Sequence, residues 1–231
     1  MTGRASALRR AAVFGAFLAV AAAAGCSSLE RTPTGAVIAA VRGGFVDPPP
    51  PAQPTRAEVE ALGFATIAAR FSDEGPRAFL VAAAVAEDYV TYSAADRRNL
   101  ILHGAAVSAI RGVGSGLVSH ASGPGPDPLV TRMPLEAWPS RLVRTWRFSD
   151  ALGRETVRAA ECRPRAVEAE RVEILERRYD LVRVEERCTT STGSFVNLHW
   201  VEPESGFVWK TRQWIGERTP PVWIEIVTPF G

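Results

Sequence analysis

The sequence is poor in lysine, histidine and cysteine, and these scarcities exclude several classes of function. Lys210 is the only lysine among 27 basic residues, and the arginines are interspersed with acidic residues along the chain. This distribution is typical of a solvated surface and argues against a nucleic-acid partner. The three histidines are far apart and form no HxxxH or HxH pair. The sequence therefore predicts no metal site and no cofactor.

Motifs for catalysis are also missing. The glycines of Gly112-Val-Gly-Ser-Gly116 do not fit the GxGxxG spacing, no Lys-Ser/Thr follows them, and Val113 stands where a GxSxG elbow needs glycine. Glu185 and Glu186 are adjacent, so a strand would point them to opposite faces and they would not form a glycosidase pair. We therefore predict that the protein is not an enzyme.

The N-terminus carries a membrane-targeting pattern. Three arginines precede the apolar run Ala11–Ala24, and small residues stand directly before Cys26. This pattern is typical of a secretory signal with a lipidation cysteine at its cleavage point. The run is shorter than the roughly 20 residues that cross a bilayer as a helix. We expect a mature chain that begins at Cys26 and is tethered to the membrane by lipid on its sulfur; the alternative is an ordinary cleaved signal followed by an incidental cysteine.

Two further features refine this prediction: the residue that follows Cys26, and the net charge of the chain after the signal is removed. Ser27 stands where aspartate would indicate retention in the inner membrane, so we expect anchoring in the outer membrane, facing the periplasm. Loss of residues 1–25 removes three arginines and no acid, which leaves 24 basic and 25 acidic residues. The slight positive charge of the full sequence therefore belongs to the signal.

Two cysteines remain for the body of the protein. Cys162 and Cys188 lack CxxC spacing and have no histidine nearby in sequence, so a metal site is a poor alternative. In an oxidising envelope compartment such a pair is first interpreted as a disulfide. They lie in predicted strands separated by another predicted strand, so the bond requires the sheet to curl or those strands to become neighbours.

The chain divides into three parts. Residues 1–25 are the signal, and residues 26–54 form an anchored segment with a helix-like stretch at Gly35–Val41 and a proline-rich linker. Four consecutive prolines favour an extended polyproline rod. Residues 55–231 are predicted to form one β-rich globular domain. A capping box of Thr55 and Glu58 predicts a short helix at its start, leading towards a strand.

The rest of the body alternates with a period of two between turn residues, which is typical of short antiparallel strands. We predict a mainly β fold, either an antiparallel β-sandwich or a curved, partly closed barrel, with one or two short helices near the N-terminus. Residues 112–128 are predicted to be a long loop or an irregular crossing between two sheet segments, and Arg163-Pro164 a turn. The predicted strands are 79–81, 88–92, 99–103, 105–110, 141–148, 155–162, 166–175, 179–188, 194–201, 207–215 and 222–227.

Several segments resemble the YjbF family of bacterial envelope lipoproteins, which includes the lipoprotein of the group 4 capsule system. They are the lipobox at Cys26, the run Asn99-Leu-Ile-Leu-His-Gly104, the run Ile110–Leu117, and the ending Asn197–Lys210. The resemblance covers nearly all of the mature chain and includes no catalytic motif. It implies a mainly antiparallel β lipoprotein that works beside exopolysaccharide secretion proteins.

These observations support a leading hypothesis and two alternatives. The leading one is an outer-membrane lipoprotein that assists assembly or export of an exopolysaccharide or capsule by binding partner proteins or the glycan. Long loops on rigid β bodies often carry function, so the loop from Gly112 to Gly125 is the first choice for a contact region, with Arg111, Gly112, Gly114 and Gly116 as its candidate binding residues. The first alternative is a periplasmic carrier of an apolar or lipid ligand, which requires an apolar cavity. The second is a polysaccharide-modifying enzyme, which requires two acids, or an acid and a histidine, to converge in a cleft.

The histidines and tryptophans are assigned by their sequence neighbours. We expect His103, His120 and His199 to be surface or strand-end residues, because no partner stands near them in sequence. The six tryptophans concentrate in the second half of the chain. Exposed indoles on a β surface could stack on sugar rings, but for most of them we predict a place in the core.

Overall fold

The computed structural model describes residues 53–114 and 116–230. The predicted signal, Cys26, the proline-rich linker and the stretch Gly35–Val41 lie outside these residues, and so remain predictions. A short helix, α1 (Arg56–Ala61), opens the described chain, and a 3-10 turn spans Leu135–Ala137. The strands are β1 (Thr66–Arg70), β2 (Ala78–Ala86), β3 (Tyr89–Ser93), β4 (Asn99–His103), β5 (Ala106–Arg111), β6 (Leu117–Ser122), β7 (Leu142–Ser149), β8 (Glu155–Ile174), β9 (Arg177–Thr189), β10 (Ser194–Val201), β11 (Val208–Gln213) and β12 (Val222–Thr228).

These strands form one 12-stranded sheet in the order β5-β4-β3-β2-β1-β12-β11-β10-β9-β8-β7-β6. The two edge strands, β5 and β6, are consecutive in the chain and are joined by residues 112–116 alone. Five residues span at most about 18 Å, so the two edges must meet at this link. Arg111 donates from Nη1 to the carbonyl oxygen of Leu117 at 3.0 Å across it. The sheet is therefore curved and nearly closed, which confirms the mainly β prediction and favours the barrel-like form over the sandwich.

The concave face of the sheet holds most of the apolar core. Alternate residues of neighbouring strands share this face, as the period of two predicts. Gln213 crosses the interior from β11 to β5, where it accepts from the Val107 amide at 3.0 Å and donates to the Ala105 carbonyl at 2.7 Å. It therefore joins opposite walls of the curved sheet. Buried members of the core include Ile67, Leu80, Leu100, Leu117, Trp146, Val222 and Ile224.

A second apolar cluster lies on the convex face and is covered by the long β8–β9 hairpin and α1. Ala68 belongs to this cluster, whereas Ile67 and Ala69 on either side of it face the interior, because successive residues of a strand point to opposite faces. Arg56 of α1 fixes the hairpin tip, because its guanidinium donates to the carbonyls of Ile174 at 2.6 Å and Leu175 at 2.7 Å. The predicted capping box is present, and Thr55 accepts from the Glu58 amide. The short predicted helix is thus confirmed, and it packs the hairpin against the sheet.

Two details of the strand prediction were wrong. The predicted loop 112–128 contains β6, which pairs with β7 over Leu117–Ser122. The predicted turn at Arg163-Pro164 is absent from the structure, because residues 155–174 form one strand. Strand β7 pairs with β8 only as far as Cys162, so Pro164 lies where one side of β8 is free. Proline has no N–H to donate and is tolerated at such an edge.

Antiparallel order places alternate turns at opposite ends of the sheet. We call the end where the described chain begins the entry end; it carries α1 and the β2–β3, β4–β5 and β10–β11 turns. The opposite end, the far end, carries the β5–β6, β7–β8 and β11–β12 connections. Among the described residues, no helix has the length and apolar character needed to span a bilayer.

Candidate functional site

A cleft of about 780 Å³ opens at the far end of the sheet. Three connections that are distant in sequence form its walls, and curling of the sheet brings them together. They are the β5–β6 link, the β7–β8 turn and the β11–β12 turn. The lining residues are Gly114, Gly116, Phe148, Ser149, Asp150, Ala151, Arg154, Thr156, Arg158, Gly216, Glu217, Arg218 and Thr219. Two of the four residues of the predicted binding loop therefore line this cleft.

The glycine loop has a structural task as well as a place in the cleft. Gly116 has φ +68°, and an added Cβ would lie 2.5 Å from the carbonyl oxygen of Ser149. The Ser149 amide donates to the Gly116 carbonyl at 2.8 Å, so the link is bonded to β7 at this point. At Gly114 (φ +71°), an added Cβ would meet no other described atom within 4 Å. Gly116 is thus packed and hydrogen-bonded against β7, whereas Gly114 has space around its Cα.

The other two residues of the predicted loop act beside the cleft. Arg111 faces the gap between the edge strands, where it donates to the carbonyls of Ile110 and Leu117. Gly112 has φ +83°, and an added Cβ would lie 3.3 Å from the carbonyl oxygen of Arg97. Both residues position the link, and neither is among the residues that line the cleft.

Charged side chains dominate the rim of the cleft. Arg154 donates from Nε to Asp150 at 2.7 Å, and Arg158 donates from Nε to Glu217 at 2.9 Å. The backbone amide and the guanidinium of Arg154 lower the pKa of Asp150, and the hydrogen bond from Arg158 lowers the pKa of Glu217. Both acids are therefore ionised at neutral pH. Within the described residues, Arg218 makes no hydrogen bond or salt bridge, although it lies in the field of Glu217.

One aromatic residue also lines the cleft, and further rings pack behind it. Phe148 lines the cleft and contacts Trp214 edge-on, with ring centroids 5.6 Å apart. Trp214 stacks on Phe195 at 4.5 Å and meets Trp146 edge-on at 5.1 Å. The cleft therefore combines a rigid aromatic base with a rim of guanidinium, carboxylate and hydroxyl groups. Such a surface can hold a polar, ring-containing ligand through stacking and hydrogen bonds.

A cluster of charged residues that was not predicted from the sequence lies inside the curved sheet. Arg144 donates to both Asp127 and Glu186, and Glu186 also accepts from Asn197 Nδ2 at 2.8 Å. Burial alone would raise the pKa of Glu186, but the charge of Arg144 and these hydrogen bonds hold it well below its usual range. Burial would likewise raise the pKa of Asp127, and Arg144 with the Ser122 hydroxyl lowers it. The cluster is thus a buried, ionised network.

The expected position of His199 was wrong. This histidine is fully buried, and its Nδ1 hydrogen-bonds with Thr211 Oγ1 at 2.8 Å. Its Nε2 lies 3.6 Å from Glu186 Oε2. The strand pattern contained the signal: Asn197 and His199 share the parity of the apolar Phe195, so they face the interior. An acid and a histidine do converge here, but both are enclosed in the core and not in a cleft.

The other histidines also have partners. His103, next to the β4–β5 turn as expected, stacks on Tyr89 with ring centroids 4.4 Å apart. His120 lies in β6 against Trp146, with centroids 5.4 Å apart. Burial and the charge of Arg144 lower the pKa of His120 to about 4. His120 is therefore neutral at physiological pH.

The two cysteines of the body are joined by a disulfide. Cys162 and Cys188 are directly opposite each other on β8 and β9. They became neighbours because the two predicted strands around Pro164 are one strand. Their sulfurs lie close to the Glu186 carboxylate, and among the described residues these three form a group with metal-compatible spacing. Both sulfurs are used in the disulfide, so they are not thiolate ligands.

A second cleft of about 460 Å³ lies at the entry end. Most of its lining is apolar, and it includes the exposed side chains of Val85 and Phe230. The acidic residues Glu87 and Asp88 and the basic residue Arg132 stand among them. The two clefts therefore differ in their share of charged residues: five of the 13 residues that line the far-end cleft are Asp, Glu or Arg, against three of the 20 that line the entry-end cleft.

Comparisons with known proteins agree with this fold. The family described as "Group 4 capsule polysaccharide lipoprotein gfcB, YjbF" matches residues 16–227. The chain belongs to the YjbF family. A comparison with curated proteins found no match. A solved structure titled as the hypothetical lipoprotein YmcC from Escherichia coli (K12) is similar, with 21% identity and a TM-score of 0.66. The similarity covers 78% of this chain and 91% of that one.

Membership of this family has one direct consequence. The family is one of lipoproteins, so this YjbF-family protein is membrane-anchored, and the family description is consistent with a role in capsule or exopolysaccharide assembly. The structural similarity to the Escherichia coli lipoprotein shows the fold alone, because the identity is low. Neither comparison assigns a role to the far-end cleft.

Proposed function

We propose that this protein is an outer-membrane lipoprotein, facing the periplasm, that assists assembly or export of a capsular or extracellular polysaccharide without catalysing a reaction. It acts by binding the glycan or partner proteins of the secretion machinery. The membership of a capsule lipoprotein family carries this proposal. Cys26, expected to be lipidated, provides the anchor, and the far-end cleft provides a contact surface.

The far-end cleft supports a binding role for several reasons. It combines an aromatic base at Phe148 with hydrogen-bonding groups from Thr156 and Thr219 and with three arginines. It also contains Gly114 and Gly116 of the predicted binding loop. The acid and histidine that converge in this protein, Glu186 and His199, are fully buried and away from the cleft rim. The two acids that line the cleft, Asp150 and Glu217, are each paired with an arginine, and the pKa of each is lowered. Neither is therefore protonated at neutral pH to act as a general acid, and the arrangement favours binding over chemistry.

The proposal is tested by deleting the gene and measuring secreted and cell-bound polysaccharide. The deletion strain is complemented with the intact chain and, separately, with the Cys26→Ala chain. We expect loss of secreted polymer, restored only by the chain that retains Cys26. Immunoblots must show that both chains accumulate equally. Unchanged polymer after deletion would contradict the proposed function.

The entry-end cleft favours a second candidate, a carrier of an apolar or lipid ligand. A mainly apolar lining and a volume of about 460 Å³ are suitable for part of an acyl chain. The test is mass spectrometry of an organic extract from the purified protein, with Val85→Glu as the matched variant, because this side chain lines the cleft and is half exposed. A stoichiometric lipid that the variant lacks would support the carrier; an extract without such a lipid would count against it.

A further inference from the structure

We propose that the far-end cleft binds a glycan that carries carboxylate groups, and that Arg218 pairs with one of these carboxylates. This inference rests on the proposed function and names the class of ligand for the same site. It is carried by the charges around the cleft, by the position of Arg218 on the β11–β12 turn and by the aromatic ring of Phe148 in the same lining.

The charges of the cleft leave one guanidinium available. Two of the three arginines are occupied, Arg154 by Asp150 and Arg158 by Glu217. Arg218 is exposed, and although it lies in the field of Glu217 it has no hydrogen bond or salt bridge to any described residue. A free guanidinium offers a planar set of donors that matches a carboxylate in a bidentate manner. The lining contains three arginines and two acidic residues, so it carries a net charge of one positive unit.

The position of Arg218 is defined by the β11–β12 turn. The Thr219 amide donates to the Gly216 carbonyl at 3.4 Å and closes this turn. Glu217, the preceding residue, is held both by Arg158 and by the hydroxyl of Thr192 at 3.2 Å. Arg218 therefore lies within a hydrogen-bonded turn that lines the cleft, next to a residue whose side chain has two partners.

The remaining lining favours a glycan over a small free anion. The volume of about 780 Å³ is in the range of sites for organic ligands and exceeds what a single ion occupies. Phe148 offers an apolar surface for a sugar ring, and Thr156 and Thr219 offer hydroxyls. Asp150 and Glu217 can accept from sugar hydroxyls while they repel carboxylates. An acidic sugar would therefore be oriented with its carboxylate towards Arg218.

The experiment is a titration of the full mature chain, purified in detergent, with hexagalacturonate. The methyl ester of the same hexasaccharide is the neutral comparison, because it keeps the sugar rings and removes the negative charge. We expect the acid form to bind at least tenfold more tightly than the ester. Arg218→Gln should weaken binding of the acid form about 10- to 100-fold, as expected for a charge-assisted hydrogen bond, with little effect on the ester.

The matched control is Arg165→Gln. Arg165 is also exposed and unpaired among the described residues, but it lies on β8 outside the cleft. This variant should bind hexagalacturonate as the unchanged protein does. Equal loss in both variants would show a general effect of charge and would overturn the role of Arg218.

Other outcomes separate this inference from the proposed function. Equal binding of acid and ester would overturn the carboxylate preference. Failure of the unchanged protein to bind hexagalacturonate would overturn the class of ligand. In either case, loss of secreted polymer on gene deletion would still support the proposed function, since that test does not depend on the cleft.

Discussion

Arg144 donates from Nε to Glu186 Oε1 at 2.8 Å, and both side chains are almost completely buried inside the curved sheet. Arg144 comes from β7 and Glu186 from β9, so the pair crosses β8. The same guanidinium binds Asp127 in the segment between β6 and β7. One arginine therefore connects two strands and a long connection. Charged groups are costly to bury without a partner. The ion pair between Arg144 and Asp127 therefore holds the β6–β7 connection against the sheet.

Replacing Arg144 with methionine should strongly destabilise the protein. The substitution leaves Glu186 and Asp127 buried without their counter-charge, and removal of one partner of a buried pair costs roughly 3–5 kcal/mol. The free energy of unfolding is measured by urea denaturation followed through tryptophan fluorescence. Arg147→Met on the same strand is the control, because its pair with Glu155 is half exposed and should contribute about 0–1 kcal/mol. Similar losses in the two variants would contradict the structural role of Arg144.

Stability should fall as the pH is lowered from about 6.5 towards 4, owing to His120. Its pKa in the folded protein is about 4, below the ordinary value of about 6.5 in an unfolded chain. As the pH falls, the unfolded state therefore takes up the proton first. The contribution of neutral His120 to the free energy of unfolding is complete above about pH 6.5 and is lost progressively as the pH falls towards 4. Because the ring keeps some solvent exposure, we expect a loss of at most about 2 kcal/mol between pH 7.5 and 5.

The measurement is urea denaturation at a series of pH values for the unchanged protein and for His120→Gln. The variant should lose a smaller part of its unfolding free energy between pH 7.5 and 5, since glutamine does not titrate. Glu186 and Asp127, whose pKa values are lowered, should add their effect only at more acidic pH. Identical pH profiles for the two proteins would show that His120 is not responsible.

Alanine at Gly116 should be much more harmful than alanine at Gly114. Both glycines have similar positive φ angles, so the backbone penalty for a side chain is similar, about 1 kcal/mol. Only at Gly116 would the new Cβ meet a backbone atom, the Ser149 carbonyl oxygen at 2.5 Å. We expect Gly116→Ala to lose an additional 1–3 kcal/mol, roughly the cost of overpacking. Thermal unfolding of both variants measures the difference, and equal melting temperatures would be inconsistent with close packing of the link on β7.

Removal of the disulfide should destabilise the body by about 3 kcal/mol. Cys162 and Cys188 are 26 residues apart in sequence, and closing a loop of this length restricts the unfolded chain by roughly that amount. The double variant Cys162→Ala/Cys188→Ala is compared with the unchanged protein by urea denaturation. Alkylation provides a direct check: neither cysteine should react in the native, unreduced protein, and both should react after reduction and unfolding.

The alternation of the sequence was sufficient to locate most of the sheet. The predicted strands at 99–103 and 194–201 match β4 and β10, because their apolar residues alternate and turn residues follow them. Strand β6 was missed because glycine, serine and proline surround it, and its pairing with β7 is a tertiary contact. Local composition does not contain that information.

The candidate site was only partly predictable for the same reason. The glycine loop could be selected from sequence because glycine-rich connections are recognisable. The arginines of the β7–β8 and β11–β12 turns could not be assigned to it, since they join the cleft only when the sheet curls. The buried pair of Arg144 and Glu186 was also hidden, because a charged residue on a strand normally indicates the solvent face.

The most direct test of the account is secretion of polysaccharide by the deletion strain when it carries a chain altered only in the cleft. Arg218→Glu reverses the charge of the free guanidinium, and Arg165→Glu makes the same change on an exposed surface outside the cleft. With equal protein levels on immunoblots, we expect reduced secreted polymer for Arg218→Glu and normal polymer for Arg165→Glu. Full secretion by the Arg218→Glu strain would contradict the assignment of the far-end cleft as the functional surface.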